Sequence, residues 1–67
     1  MASVQVNGAP RPVREGMTLL QLLAELELDP RWVVAELNGV PLGRDRFAES
    51  VLSDGDRLEL VRPVAGG

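Results

Sequence analysis

The side chains able to do chemistry are few, and the search for a site starts with them. Asp54 and Asp56 flank Gly55 and have the look of a metal-binding pair. The remaining ligand positions of a calcium loop are missing, and Asp-Gly-Asp is a common turn in which the carboxylates bond nearby amides. The turn is therefore the better reading. Glu25, Glu27 and Asp29 form a short acidic run, which reads as a solvated face, with docking of basic partner residues the lesser reading. Ser50 and Ser53 have no histidine or lysine to activate them as nucleophiles. The chain contains no Cys, no His and no Lys. Thiolate nucleophiles, disulfides, Schiff bases, the commonest metal ligand and the usual general base near neutral pH are thereby excluded.

What remains is the end of the chain, Arg62-Pro63-Val64-Ala65-Gly66-Gly67. Pro63 stops the preceding strand, and the last three residues are the smallest available. Fully extended, six residues reach about 20 Å. Such a tail can enter a narrow channel in a partner while the folded head stays outside. Glycine lets a backbone pass where a Cβ would clash, so Gly66 and Gly67 leave the terminal carboxylate sterically open. Chain ends are also commonly frayed and glycine-rich, so the pair acquires meaning only from the head that carries it.

That head is legible in outline. Ser3 to Asn7 alternates, with Val4 and Val6 on one face, as a half-buried strand does. Asn7-Gly8 is a tight hairpin turn, and Arg11 to Arg14 is the return strand, with Pro10 and Pro12 marking an edge. Thr18 and Gln21 make a capping box at the start of a helix. Leu19, Leu22, Leu23 and Leu26 form its apolar stripe, widened by Leu20, and Asp29-Pro30 ends it. Val33 to Leu37 reads as a well-buried strand. Asn38-Gly39 repeats the hairpin signal, and Val40-Pro41-Leu42 is a short edge strand. Arg44 to Ser50 allows one helical turn anchored by Phe47. Ser53 to Asp56 is a turn, and Arg57 to Val61 alternates with Leu58 and Leu60 on one face. Trp32, the sole tryptophan, is expected to pack beside Pro30. The order β-β-α-β-β-turn-β with a single helix makes a two-layer α+β roll, a mixed sheet of four to five strands on one main helix. Residues 1–61 are expected to form the globular domain and 62–67 a flexible tail ending in Gly-Gly.

Size and charge point the same way. At 67 residues the chain is one domain with a small core, poorly suited to enclosing a deep active site. Its net charge is −3 and its seven basic residues are scattered along the sequence, which argues against nucleic acid as a partner. No apolar run is long enough to span a bilayer, and Met1-Ala2-Ser3-Val4 leads straight into strand-like sequence without a signal-peptide pattern. A cytoplasmic location with no membrane partner is expected.

These segments together resemble the ThiS family of sulfur carriers over essentially the whole length. The resemblance is carried by Val4-Gln5-Val6-Asn7-Gly8, by Thr18-Leu19-Leu20-Gln21-Leu22-Leu23 and by Val34-Ala35-Glu36-Leu37-Asn38-Gly39. Val51 to Leu60, with its Asp-Gly-Asp turn, and the Val64-Ala65-Gly66-Gly67 end complete it. It implies a ubiquitin-like β-grasp fold whose first and last strands pair in parallel at the sheet centre. It implies a carrier acted on by enzymes, not an enzyme, with no bound cofactor. A ThiF-type adenylyltransferase would use Mg-ATP to activate the Gly67 carboxylate. A cysteine desulfurase or other persulfide donor would supply sulfur, and a ThiG-type thiazole synthase would take it from the Gly67 thiocarboxylate. Docking by the sheet face near the last strand would involve Leu42, Phe47, Leu60 and Arg62, although Phe47 and Leu60 also fit a core role. Related carriers for molybdopterin or tRNA thiolation share this pattern, and a plain protein-binding module without chemistry at its terminus is the reading from a different class.

Overall fold

The computed structural model describes residues 2–63. Strands β1 (Ala2–Val6) and β2 (Ala9–Val13) form an antiparallel hairpin in which Val6 faces Ala9 and Ala2 faces Val13. The turn between them has Asn7 at φ 51° and Gly8 at φ 85°. These paired left-handed conformations make a type I′ turn, which asparagine and glycine adopt at low cost. The second hairpin joins β3 (Val34–Leu37) to β4 (Val40–Leu42) through the same chemistry at Asn38 and Gly39. β2 begins two residues earlier than its proline pattern suggests, because the two-residue turn lets pairing start at Ala9. Pro10 and Pro12 are tolerated there because β2 is an edge strand, as is the Pro41-bearing β4.

Helix α1 (Leu19–Glu25) starts with the expected capping box. The Gln21 amide donates to Thr18 Oγ1 at 3.2 Å, and the Thr18 amide donates to Gln21 Oε1 at 2.9 Å. Leu19, Leu22 and Leu23 are buried, and Leu26 packs partly against the core. Leu20 is exposed, so it does not widen the stripe. The helix also closes before Asp29-Pro30. Glu27 takes a left-handed φ of 59°. Its amide donates to the Ala24 carbonyl, and the Leu28 amide donates back to the Leu23 carbonyl at 2.9 Å. This is a Schellman closure with glutamate where glycine is usual. Pro30 instead opens a 3₁₀ turn, Pro30–Trp32, capped by Asp29. Glu27→Gly is expected to stabilise the protein by about 0.5–1 kcal/mol, by relieving the left-handed strain. Chemical denaturation tests this, and a lowered midpoint would contradict it.

The last strand, β5 (Arg57–Val61), lies at the sheet centre in the order β2-β1-β5-β3-β4. It pairs in parallel with β1, Val6 beside Leu58, and antiparallel with β3, Val34 beside Val61 and Ala35 beside Leu60. This is the β-grasp arrangement, with first and last strands adjacent. Leu58 and Leu60 point inward with Val4 and Ala35. β3 alternates too: Val34 is 56% exposed, so the strand is half-buried instead of wholly buried. Residues 44–52 fold across the start of the helix. The Leu19 and Leu20 amides donate to the Ser50 and Phe47 carbonyls, and the Leu52 amide to that of Met17. A 3₁₀ turn at Arg44–Arg46 drops Phe47 into the core.

Asp54 and Asp56 bond amides, as a turn requires. Asp54 Oδ1 accepts from the Ser3 amide at 2.8 Å, and Asp56 Oδ2 from the Ser53 amide at 2.8 Å. Among the described residues no His, Cys, Asp or Glu cluster suits a metal, and no helix is long and apolar enough to cross a membrane.

Candidate functional site

The candidate site is the outgoing end of β5, since that strand carries the tail. Its position is set by side-chain hydrogen bonds from the hairpin turns. The Asn7 side chain grips Leu60 from both sides. Its Nδ2 donates to the Leu60 carbonyl at 3.0 Å, and its Oδ1 accepts from the Leu60 amide at 2.8 Å. The β1–β5 ladder ends at Val6 beside Leu58, and this amide side chain extends it to Leu60. Asn38 acts at the other end of the strand. Its Oδ1 accepts from the Arg57 amide at 2.8 Å, and its Nδ2 donates to Asp56 Oδ1 at 3.0 Å. Both asparagines therefore make their turns and also clamp β5.

The sequence reading saw these asparagines as turn formers only. The available signal was the residue type: aspartate would also suit such a turn, but only an amide both donates and accepts. Asn7→Asp keeps the turn and removes the donor to Leu60. It is expected to cost about 1–3 kcal/mol in a denaturant melt, the cost of an unsatisfied, partly buried carbonyl. An unchanged midpoint would contradict the clamp.

Val61, the last residue of β5, is exposed, as are Arg62 and Pro63 beyond it. Val64, Ala65, Gly66 and Gly67, the rest of the expected tail and its carrying residue, lie outside the described residues. The four expected docking residues separate into two groups. Arg62 is exposed and Leu42 half-buried, and both line one open groove beside the base of the tail. Phe47 and Leu60 are 1% and 9% exposed and belong to the core. The docking role expected of these two is corrected, because side chains with almost no accessible surface make no contact with a partner.

The groove contains residues that the docking expectation missed. Arg31, Trp32, Val34 and Arg44 line it together with Leu42 and Arg62. Trp32 is 60% exposed and does not bury itself on the neighbouring turn. Its place is fixed by the 3₁₀ turn. Arg31 Nη2 donates to Asp29 Oδ2 at 2.7 Å, and its Nε donates to the same carboxylate at 3.2 Å. The guanidinium carbon stands 5.9 Å from the centre of the Trp32 ring, within cation–π range.

Hydrogen bonds from the Arg31 side chain and amide, with the arginine charge, lower the Asp29 pKa from 3.8 to about 2. A lowered carboxylate pKa favours the folded state above its unfolded value, and that contribution disappears as pH falls through about 2. Asp29→Asn should therefore flatten the acid melting profile slightly between pH about 4 and about 2. An identical slope in both proteins would contradict the pairing.

Comparison with known proteins places this geometry in a family. The family model described as the ThiS family matches residues 4–67. Sulfur carrier protein ThiS of Bacillus subtilis (strain 168) is 38% identical over 65 residues, covering 96% of this chain and 98% of that protein. A thiazole synthase of Paramagnetospirillum magneticum is 37% identical over 62 residues. That match covers 92% of this chain but only 19% of the synthase, so the chain spans about a fifth of that protein. The crystal structure of thiamine biosynthesis protein ThiS from Geobacter metallireducens superposes with a TM-score of 0.82 at 34% identity, covering 97% of this chain and 99% of that one. The clamped central strand, the β-grasp order and the sequence matches agree, and the chain belongs to the ThiS family.

Proposed function

We propose that the protein is a sulfur carrier for the thiazole of thiamine and that the Gly67 carboxylate is its carrying group. The observation that carries this reading is the family match running through Gly66-Gly67, joined to relatives named as sulfur carrier and thiamine biosynthesis proteins. The synthase containing a stretch like this chain favours thiazole synthase as the acceptor.

A carboxylate is a poor electrophile because its leaving group would be an oxide. A ThiF-type adenylyltransferase attaches AMP from Mg-ATP to Gly67, releasing pyrophosphate and providing a good leaving group. Sulfur from a persulfide on a cysteine desulfurase or on the activating enzyme then displaces AMP. Cleavage of the sulfur–sulfur bond by a thiol leaves a Gly67 thiocarboxylate, and a ThiG-type thiazole synthase takes its sulfur. The chain contributes a terminus that fits narrow sites and a strand that holds its base. Having no Cys and no Lys, it presents no side-chain thiol or amine of its own to intercept the activated carbonyl. It serves as a co-substrate, in the cytoplasm where ATP and persulfide donors are available.

The test of the acceptor is a transfer assay. The thiocarboxylate form is offered separately to purified thiazole synthase with its small-molecule substrates and to the large subunit of molybdopterin synthase with its precursor. Sulfur loss to the first alone is expected. Loss only to the second would replace thiazole by molybdopterin as the destination.

A further inference from the structure

The end of β5, the start of β3 and the end of β4 lie at one end of the sheet, since Val61 pairs with Val34 and Leu42 with Ala35. The residues just outside these strands meet there around the open groove. Its floor is apolar, with Trp32, Val34 and Leu42, and Arg31, Arg44 and Arg62 stand around it. A small domain has few large apolar side chains for its core, yet the only tryptophan of this chain lies outside the core. Water is a poor neighbour for that ring, so an apolar cover of even one side chain is favourable.

The charge around the groove is unbalanced. Arg31 is committed to Asp29, with Nη2 and Oδ2 2.7 Å apart. Arg44 adds its charge at the same carboxylate, so one aspartate answers two arginines, and Arg62 is a third cation. Among the described residues neither Arg44 nor Arg62 makes an ion pair, and no carboxylate lines the groove. On a chain of net charge −3 this is a place of net positive charge beside an apolar floor. The occupant that suits it has a small apolar side chain followed closely by a single negative charge.

The chain carries such a segment itself. Pro63 lines the groove, and Val64, Ala65, Gly66 and Gly67, outside the described residues, follow it. In order they offer an apolar side chain, a methyl group, two glycines and the terminal carboxylate. Neighbouring strands lie about 4.8 Å apart, so β4 is about 10 Å from β5 across β3. Four residues reach up to about 14 Å, enough to cross both strand ends. The tether also holds the tail at an effective concentration of about millimolar, whatever the concentration of the protein.

We infer that in the free protein the tail folds back into this groove, with Val64 against Trp32 and the Gly67 carboxylate paired with Arg44. The pair is exposed to solvent and therefore weak, so it parks the terminus without measurably stabilising the head. An enzyme that accepts the tail lifts it out by binding it more tightly. A thiocarboxylate has the same single negative charge, so a loaded terminus rests in the same place. The fold-back is a property of the chain alone, and only its use in carriage rests on the carrier reading.

The test is nuclear magnetic resonance of the full chain near neutral pH with no enzyme present, so its failure leaves the carrier reading standing. Nuclear Overhauser contacts between the Val64 methyl groups and the Trp32 ring are expected, and they should survive dilution. Arg44→Glu, at an exposed position, should remove them and shift the Gly67 amide signal. Amidation of the Gly67 carboxyl, which leaves the head untouched, should do the same. Added salt should move the wild-type tail signals toward those of the variant, because exposed charges are screened. Absence of tail-to-groove contacts in the wild-type chain would overturn the inference. So would contacts that fade on dilution, which place the tail on a second copy, or contacts that survive both Arg44→Glu and amidation.

Discussion

Phe47→Ala is expected to leave the protein largely unfolded at room temperature. Phe47 is 1% exposed and heads the fully buried side chains by volume. Truncating a buried phenylalanine costs about 3–5 kcal/mol. A single core in a chain of this size rarely supplies more than about 3–5 kcal/mol of stability, so one substitution removes most of it. The loss is local in origin. Phe47 anchors the segment that crosses the helix start, and its carbonyl accepts from the Leu20 amide at 3.1 Å. A cavity there loosens both the helix cap and the connection to β5. Circular dichroism and a denaturant melt read the outcome directly. A variant that melted like wild type but lost activation would return Phe47 to the docking surface, from which its burial removes it.

Deleting Gly67 is expected to abolish thiocarboxylate formation while leaving the melting midpoint unchanged. The expected loss is complete because no Cys or Lys side chain in the chain substitutes for the carboxylate. Deletion also places the new terminus one residue short, and a misplacement of even about 1 Å can cost about 100-fold in rate. Among the described residues, the strand bonds that hold the base of the tail fall on residues up to Val61, so the head should not notice. Adding one residue after Gly67 should be equally silent in the melt and equally damaging to activation. A large drop in midpoint on deletion would mean that the terminus supports the fold, contrary to the carrier role proposed for it.

Much of the fold was readable because the signals are local. Asn-Gly at two places fixes two hairpins through backbone sterics, and Thr18 with Gln21 fixes the helix start through two reciprocal hydrogen bonds. The alternation of Leu58 and Leu60 names the inner face of β5. The helix end was misread because Glu27 occupies a left-handed position for which glutamate carries no signature, and Asp29-Pro30 is an equally good start for a 3₁₀ turn. Parallel pairing of β1 with β5 came from family resemblance, since periodicity does not reveal which strands are neighbours.

The site was less legible for the same reason. Asn7 meets Leu60 across 53 residues of sequence, and no local pattern reports such a contact. Arg31, Arg44 and Arg62 look scattered along the chain and converge only once β3, β4 and β5 are placed side by side. Leu42 and Arg62, expected to dock a partner, line the groove beside the end of β5. For Phe47 and Leu60 docking and core were both open, and the alternation of β5 and the demand for a large core residue already favoured the core, where both lie.

Whether Gly67 carries sulfur is read from the intact mass of the protein. The protein is incubated with a ThiF-type adenylyltransferase already shown to work on another carrier, with Mg-ATP and a persulfide donor. The expected result is the mass gain of one oxygen exchanged for sulfur, localised by fragmentation to Gly67. An unchanged mass, or a sulfur placed anywhere else in the chain, would contradict it.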